Sequence, residues 1–422
     1  MNASLRLQGA LVFLLLLAVG TRALAAASSV PLPENPVGGS AVFVEKQCLR
    51  CHAVQGYGGS EGPDLGRVQL RGGFLGMAGF MWNHAPKMIV VLAKDKLSFP
   101  KVTTGEMKQL VAFLYTLNYL DPPGDPRRGE QVFAAKGCLS CHRVGGLGGA
   151  VAPPLDKYGS YASPLFLATE LWNRGPAMAE AMKREQIPRP VLGGGDVRDI
   201  VAFIRARGRR SPGSPPRVYV PPGNPKEGAS LFQSKRCGEC HSLSVGGKED
   251  AGRSGAGPPL VAREFKVNLS AIAGRMWNHG PGMWSQWKAK GLAPISLSVK
   301  EMADLTAYLY FLQFESPLGD PARGAVLYRS RGCERCHEPE KGAKEAPSPR
   351  KTAGKEEDEA PDLRAKGPWA SDIDLAREMW NHAGKMYGKI LEGTNVWPRL
   401  AETEVADLLS YVRSIGGTRK KK

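Results

Sequence analysis

The sequence predicts an all-α protein of four tandem domains arranged as two closely linked pairs, and three observations carry that expectation. A Cys-x-x-Cys-His motif occurs four times, the spacing around it repeats from copy to copy, and each copy closes on a stretch with apolar residues at helical spacing. A chain of 422 residues is also too long for one compact core and suits three or four domains of ordinary size.

Each unit opens on a proline (Pro36, Pro126, Pro225, Pro321), and the first cysteine of the motif follows twelve residues later in all four. Proline suits the first turn of a helix, where the leading N–H groups lack partners in any case. Between the two, a glycine (Gly39, Gly129, Gly228, Gly324) and, four residues on, an aromatic (Phe43, Phe133, Phe232, Tyr328) fall on one helix face. After the motif comes a loop ending in GPDL, APPL, GPPL or APDL, and all length variation of this half sits there. The longest version, EPEKGAKEAPSPRKTAGKEEDEA, is charged and lacks aromatics, the composition of a disordered surface insertion.

From the loop proline (Pro63, Pro153, Pro258, Pro361) the register locks again. Twenty-five residues on stands Met88, Met178, Met283 or Met386, and twenty-five further Phe113, Phe203, Tyr308 or Tyr411. Those aromatics belong to terminal helices such as GEMKQLVAFLYTL and KEMADLTAYLYFL, and two of the helices start at capping boxes, Thr103 to Glu106 and Ser298 to Glu301.

The units are expected over residues 35–119, 126–207, 224–314 and 321–416, with an Arg/Pro-rich linker at 208–223. Thirteen residues separate the terminal aromatic of units one and three from the next opening proline, against twenty-two after unit two. Units one and two are thereby expected to couple closely, as are three and four. The related exit phrases LNYLDPPGDPRRG and LQFESPLGDPARG point to a duplicated two-unit module.

Residues 1–25 read as a cleavable secretory signal, because Arg6 precedes the apolar run ALVFLLLLAVG and Ala23 to Ala25 offers small residues to a peptidase. An uncleaved membrane anchor is the alternative, although the run is short for a bilayer. Export predicts a periplasmic address. In an exported chain a net charge of +17 points away from nucleic acid and toward acidic protein partners, or toward peripheral contact with an anionic membrane surface. Part of that charge lies in RARGRRSPGSPPR and in the RKKK tail, which read equally well as a solvated linker and tail.

Export would normally turn eight cysteines into four disulfides. Their spacing predicts otherwise. Each pair is followed at once by histidine: Cys48, Cys51 and His52; Cys138, Cys141 and His142; Cys237, Cys240 and His241; Cys333, Cys336 and His337. This is the signature of covalent c-type haem attachment. Two thiols three residues apart on one helical turn reach both vinyl groups of a haem, and the adjacent histidine is held beneath the iron. Four such motifs with no cysteine left over predict four haem c groups, whereas a zinc ribbon needs its pairs closer together in sequence.

In combination these motifs resemble the class I cytochrome c domain, four times over and across nearly all of the chain after the leader. The resemblance implies that the first and last helices of a unit cross. Gly39 and Phe43 would meet Leu110 and Phe113, and Gly129 and Phe133 would meet Ile200 and Phe203. Gly228 and Phe232 would meet Leu305 and Tyr308, and Gly324 and Tyr328 would meet Leu408 and Tyr411. It further implies that the loop proline's carbonyl accepts the second ring N–H of the proximal histidine, fixing its tautomer. Leu65, Leu155, Leu260 and Leu363 would pack on the porphyrin, and a methionine would fill the sixth position.

Four aligned phrases bear on that position: MWNHAPKM, LWNRGPAM, MWNHGPGM and MWNHAGKM. In the second, Leu171 replaces the first methionine, and Arg174, which has no lone pair for iron, replaces the histidine. Only Met88, Met178, Met283 and Met386 survive in all four copies, and they are the expected distal ligands opposite His52, His142, His241 and His337. His84, His279 and His382 are then polar partners near the haem edge, with bis-histidine ligation in those three units as the alternative. The tryptophans (Trp82, Trp172, Trp277, Trp380) and asparagines (Asn83, Asn173, Asn278, Asn381) beside them have either a haem-rim role or an ordinary core role.

Histidine–methionine ligation fills both axial positions and leaves no open site for a substrate. The expectation is an electron carrier between a redox donor and an acceptor, not an enzyme. The alternatives are a peroxidase- or reductase-like protein in which one iron opens its sixth position, a cytochrome subunit of a dehydrogenase or respiratory complex, and a haem sensor.

Overall fold

A computed structural model describes residues 38–68, 73–208, 223–245, 248–249, 260–261, 268–312, 318–337, 371–392, 396–401 and 403–415, with Gly257, Ser316 and Leu363. The leader, Pro36, Pro258, Pro361, the long loop of unit four, nearly all of the Arg/Pro-rich linker and the basic tail lie outside the described residues.

Every unit has an opening helix, a long middle helix and a terminal helix. Unit one has α1 (Gly39–Glu45), α2 (Phe74–Lys94) and α3 (Thr104–Tyr119). Unit two has α4 (Pro126–Ala135), α5 (Pro164–Arg184) and α6 (Gly194–Arg207). Unit three has α7 (Pro225–Ser234), α8 (Leu269–Ala289) and α9 (Val299–Leu312). Unit four has α10 (Pro321–Ser330), the short α11 (Glu334–His337), α12 (Asp372–Glu392) and α13 (Glu404–Ile415). Strand structure among the described residues is confined to short pairings after the cysteine motifs, such as Ala53–Val54 against Tyr57–Gly58.

The helix starts follow from their first residues. Asp125, Asn224 and Asp320 each accept two backbone N–H groups with a side-chain oxygen, and the proline that follows opens the helix. Both expected capping boxes form: Thr103 and Glu106 bond reciprocally, as do Ser298 and Glu301.

Opening and terminal helices cross at the repeated glycine. A Cβ on Gly39 would stand 2.0 Å from the Gln109 carbonyl oxygen, on Gly129 1.9 Å from that of Asp199, and on Gly228 and Gly324 2.0 Å from those of Asp304 and Asp407. No side chain fits there. The expected aromatic pairs flank each crossing: Phe43–Phe113 at 5.7 Å, Phe133–Phe203 at 5.6 Å, Phe232–Tyr308 at 5.9 Å and Tyr328–Tyr411 at 5.3 Å between ring centres.

Three buried carboxylates outside the sequence expectations also stand at these crossings. Asp199, Asp304 and Asp407 accept the backbone N–H of Asp125, Asn224 and Asp320, at 3.1, 2.8 and 2.6 Å. Burial alone would raise Asp199 and Asp407. Hydrogen bonds from Arg198 and Arg323 outweigh it with help from the capping N–H groups, and hold both below the ordinary carboxylate range. Gln109 takes the corresponding place in unit one.

Two pairs of units form, the outer two with each other and the inner two with each other. α2 packs along α12 and α5 along α8, so unit one docks on unit four and unit two on unit three. The expectation that units one and two pair, and three and four, is corrected on this point. A short linker limits how far neighbours separate but supplies no contact surface. The surface comes from the Trp-Asn dipeptide of each middle helix.

Trp82 donates its indole N–H to the Pro398 carbonyl at 2.7 Å, and Asn83 both donates to the Leu400 carbonyl (2.6 Å) and accepts its N–H (2.9 Å). The exchange is reciprocal, with Trp380 on the Pro100 carbonyl and Asn381 bonding both backbone groups of Val102. Units two and three repeat it, through Trp172 on Ile295, Asn173 on Leu297, Trp277 on Pro190 and Asn278 on Leu192. These side chains are therefore interdomain clamps. Units one and three also touch, where the Tyr310 hydroxyl donates to the Tyr115 carbonyl at 2.7 Å and Tyr119 shares a hydrogen bond with Thr306 at 2.9 Å.

Candidate haem-binding sites

The cysteine motif sits on a tight turn directly after each opening helix. The residue before the first cysteine is left-handed in all four units: Gln47 (φ 58°), Gly137 (75°), Arg236 (61°) and Gly332 (74°). That conformation ends the helix and swings the chain across its end. The histidine N–H then bonds the carbonyl of the first cysteine, four residues back, at 2.9 Å in units one and two and 3.0 Å in units three and four. One helical turn thus presents both thiols and the imidazole together.

The following loop folds back and clips onto this turn. The N–H groups of Gly62, Ala152 and Gly257 bond the carbonyls of Cys51, Cys141 and Cys240 at 2.8, 3.0 and 3.0 Å. Those of Leu65, Leu155 and Leu260 bond Ala53, Arg143 and Ser242, each at 2.8 Å. The longer loop of unit three makes the same two clips, so the insertion leaves the local frame intact.

The expected orientation of the proximal imidazole is present where its partner is described. Nδ1 of His52 lies 3.1 Å from the Pro63 carbonyl oxygen and Nδ1 of His142 lies 3.0 Å from that of Pro153. A carbonyl only accepts, so each Nδ1 carries the proton and Nε2 keeps its lone pair for a metal. Pro258 and Pro361, the partners expected for His241 and His337, lie outside the described residues.

In unit one the motif opens onto a cavity of about 720 Å³. Cys48, Cys51, His52 and Pro63 line one side, and His84, Met88 and Leu92 from α2 another, with Phe99 and Pro100 also contributing. The volume suits an organic cofactor. A bare-ion site is a poor match, since no group of three or more His, Cys, Asp or Glu residues among the described ones is placed to hold a metal ion. Burial pushes the thiols of Cys48, Cys138, Cys237 and Cys333 up to about 11, which keeps them protonated at neutral pH. None of the eight cysteines is in a disulfide. Two thiols and an imidazole on one wall, with further donors on the facing helix, fit a covalently held haem.

Met88, Met178, Met283 and Met386 are partly buried and pack against the core, on α2, α5, α8 and α12. The residue one turn earlier differs. His84 and His382 are half-buried, but Arg174 and His279 are exposed, and Arg174 is turned to Glu170 at 2.5 Å. Burial together with the neighbouring His52 and Lys87 lowers the pKa of His84, which favours the neutral ring. Leu65, Leu155 and Leu260 pack against the core, while Leu363 is half-buried.

A family model described as Cytochrome c matches residues 126–207, 225–313 and 321–416. The chain belongs to the cytochrome c family and is a multi-domain, haem-binding electron-transfer protein. Residues 35–119 fall outside these matches, although they carry the same motif, glycine crossing and histidine–proline bond. No curated protein and no solved structure matches the chain.

Proposed function

We propose that the protein is an exported tetrahaem cytochrome of class I domains that relays electrons between a redox donor and an acceptor. The observation that carries this reading is the four-fold repetition of one turn, which holds two thiols and an imidazole together behind a left-handed residue. Cys48 and Cys51, Cys138 and Cys141, Cys237 and Cys240, and Cys333 and Cys336 would form the thioethers, with His52, His142, His241 and His337 as proximal ligands. When bound, haem c supplies the one-electron couple of its iron. The protein's own residues fix the imidazole tautomer through Pro63 and Pro153, wall the site with apolar side chains and clamp the units to one another.

Met88, Met178, Met283 and Met386 are the candidates shared by all four units for the sixth position, with His84, His279 and His382 as the alternative in the other three units; Met178 is the one whose neighbour, Arg174, offers iron no lone pair. The leader favours a periplasmic address and the charge of +17 favours acidic docking surfaces on donor and acceptor, or peripheral contact with an anionic membrane. No helix among the described residues is long and apolar enough to cross a membrane.

The experiment is stopped-flow reduction of the oxidised protein by a small soluble cytochrome or dithionite, with carbon monoxide added to the reduced form. A carrier reduces in all four haems and leaves the reduced spectrum unchanged by carbon monoxide. A haem that binds it would assign an open iron and favour an oxidoreductase.

A further inference from the structure

The four copies of the middle helix differ in what they set against the proximal imidazole. In unit one the ring of His84 stands 6.1 Å from that of His52, centre to centre, with the planes inclined at 54°. In unit four His382 stands 6.0 Å from His337, inclined at 55°. Metal–nitrogen bonds of about 2 Å, with each ring centre about 1 Å behind its nitrogen, put two imidazoles across one metal ion about 6 Å apart. Two separately encoded units therefore hold a histidine pair at the spacing that one shared iron requires.

In the other two units the residue at this register differs. Arg174 has no lone pair, and His279 is exposed where His84 and His382 are half-buried. Met178 and Met283 stand on their helices at the register of Met88 and Met386, both packed against the core. Met88 lines the unit-one cavity one turn beyond His84, so two donors compete there for one position. The placement of His84 opposite the proximal ring favours the imidazole.

We propose that the iron sites are of two kinds: bis-histidine in units one and four, through His84 and His382, and histidine–methionine in units two and three, through Met178 and Met283. The inference rests on the four-haem reading. The division follows the docking, because units one and four are clamped together and so are two and three. Imidazole in place of thioether lowers the reduction potential. One docked pair would then be a low-potential pair and the other a high-potential pair, giving the chain a built-in downhill direction.

The test is the far-red sulfur-to-iron charge-transfer band of the oxidised holoprotein, read in Met→Leu variants that keep the side-chain volume, with haem content measured in each. Met88→Leu and Met386→Leu should leave the band and all potentials unchanged, while Met178→Leu and Met283→Leu should each remove about half of it. Loss of band intensity in Met88→Leu or Met386→Leu would overturn the division. Fewer than four haems in the unmutated protein would defeat the four-haem reading instead, and is read separately from the band.

Discussion

The docked pair of units one and four and the docked pair of units two and three use the same hydrogen bonds and different stacking. In both, a tryptophan and an asparagine of each middle helix bond the backbone just before the partner's terminal helix. In the first pair aromatics cover the tryptophans, Trp397 on Trp82 at 4.3 Å and Phe99 on Trp380 at 4.6 Å. In the second the guanidinium of Arg189 lies 3.4 Å from the Trp277 ring centre and donates to its carbonyl, while Trp172 meets Trp287 edge-on. Backbone-directed bonds survive exchange of the side chains they contact, proline at an N–H position excepted. The stacking partner is free to change between aromatic and cationic, and it sets the two pairs apart.

The largest effect is expected at the helix crossings. Gly324→Val would drive a side chain into the Asp407 carbonyl and cost more than about 3 kcal/mol, enough to unfold unit four. Hydrogen exchange should then rise across α12 and α13 and along α2, whose clamp partner is lost, while α5 and α8 keep their protection. Equal loss along α5 and α8 would show that the two pairs are not separate cooperative units.

Removing one asparagine sharpens the same comparison. Asn381→Ala deletes both bonds to Val102, a loss of about 1–3 kcal/mol from the first pair. The Val102 amide should exchange faster and the Leu192 amide should not, and Asn278→Ala should give the reverse.

Asp121, in the exit segment that follows unit one, provides a pH-dependent contact with unit three, where it accepts the Ser270 N–H at 3.0 Å. Burial raises its pKa from 3.8 to about 6, against the lowering effect of Ser270. A carboxyl raised in the folded state keeps its proton between pH 3.8 and about 6 while the unfolded chain has lost it, so stability falls as pH rises through that window. The fall should be about 1–2 kcal/mol, because the carboxyl is only partly buried. Asp121→Asn should flatten that part of a melting-temperature profile, and an unchanged slope would locate the titration elsewhere.

The smallest effect is expected from Arg189→Lys, which keeps the charge and loses the flat stack on Trp277, for about 0.5–1 kcal/mol. It should lower the stability of the second pair only, as read by the Leu192 amide.

Much of this architecture was legible in the chain. The cysteine motif and capping boxes are local, so spacing alone carries them, while the glycine crossings and aromatic pairs followed from the resemblance to the class I cytochrome c domain at fixed register. The pairing of units was not legible, because the Trp-Asn clamp binds backbone carbonyls, which every residue possesses, and N–H groups, which every residue but proline possesses. Pro398, Ile295 and Val102 carry no mark of being its targets. The buried carboxylates do leave a signal, since Asp199, Asp304 and Asp407 each directly precede the apolar residue expected at the crossing, on the face that packs. At the sites, alignment with Arg174 singled out the methionines by shared identity. Burial separates His84 and His382 from His279 and Arg174, and burial is not recorded by spacing.

The four-haem claim itself is tested most directly by the intact mass of the protein matured in a host competent for haem attachment. The expected mass is that of the chain plus four haems bound through Cys48 and Cys51, Cys138 and Cys141, Cys237 and Cys240, and Cys333 and Cys336. Three or fewer haem additions, with a cysteine pair found free, would contradict it.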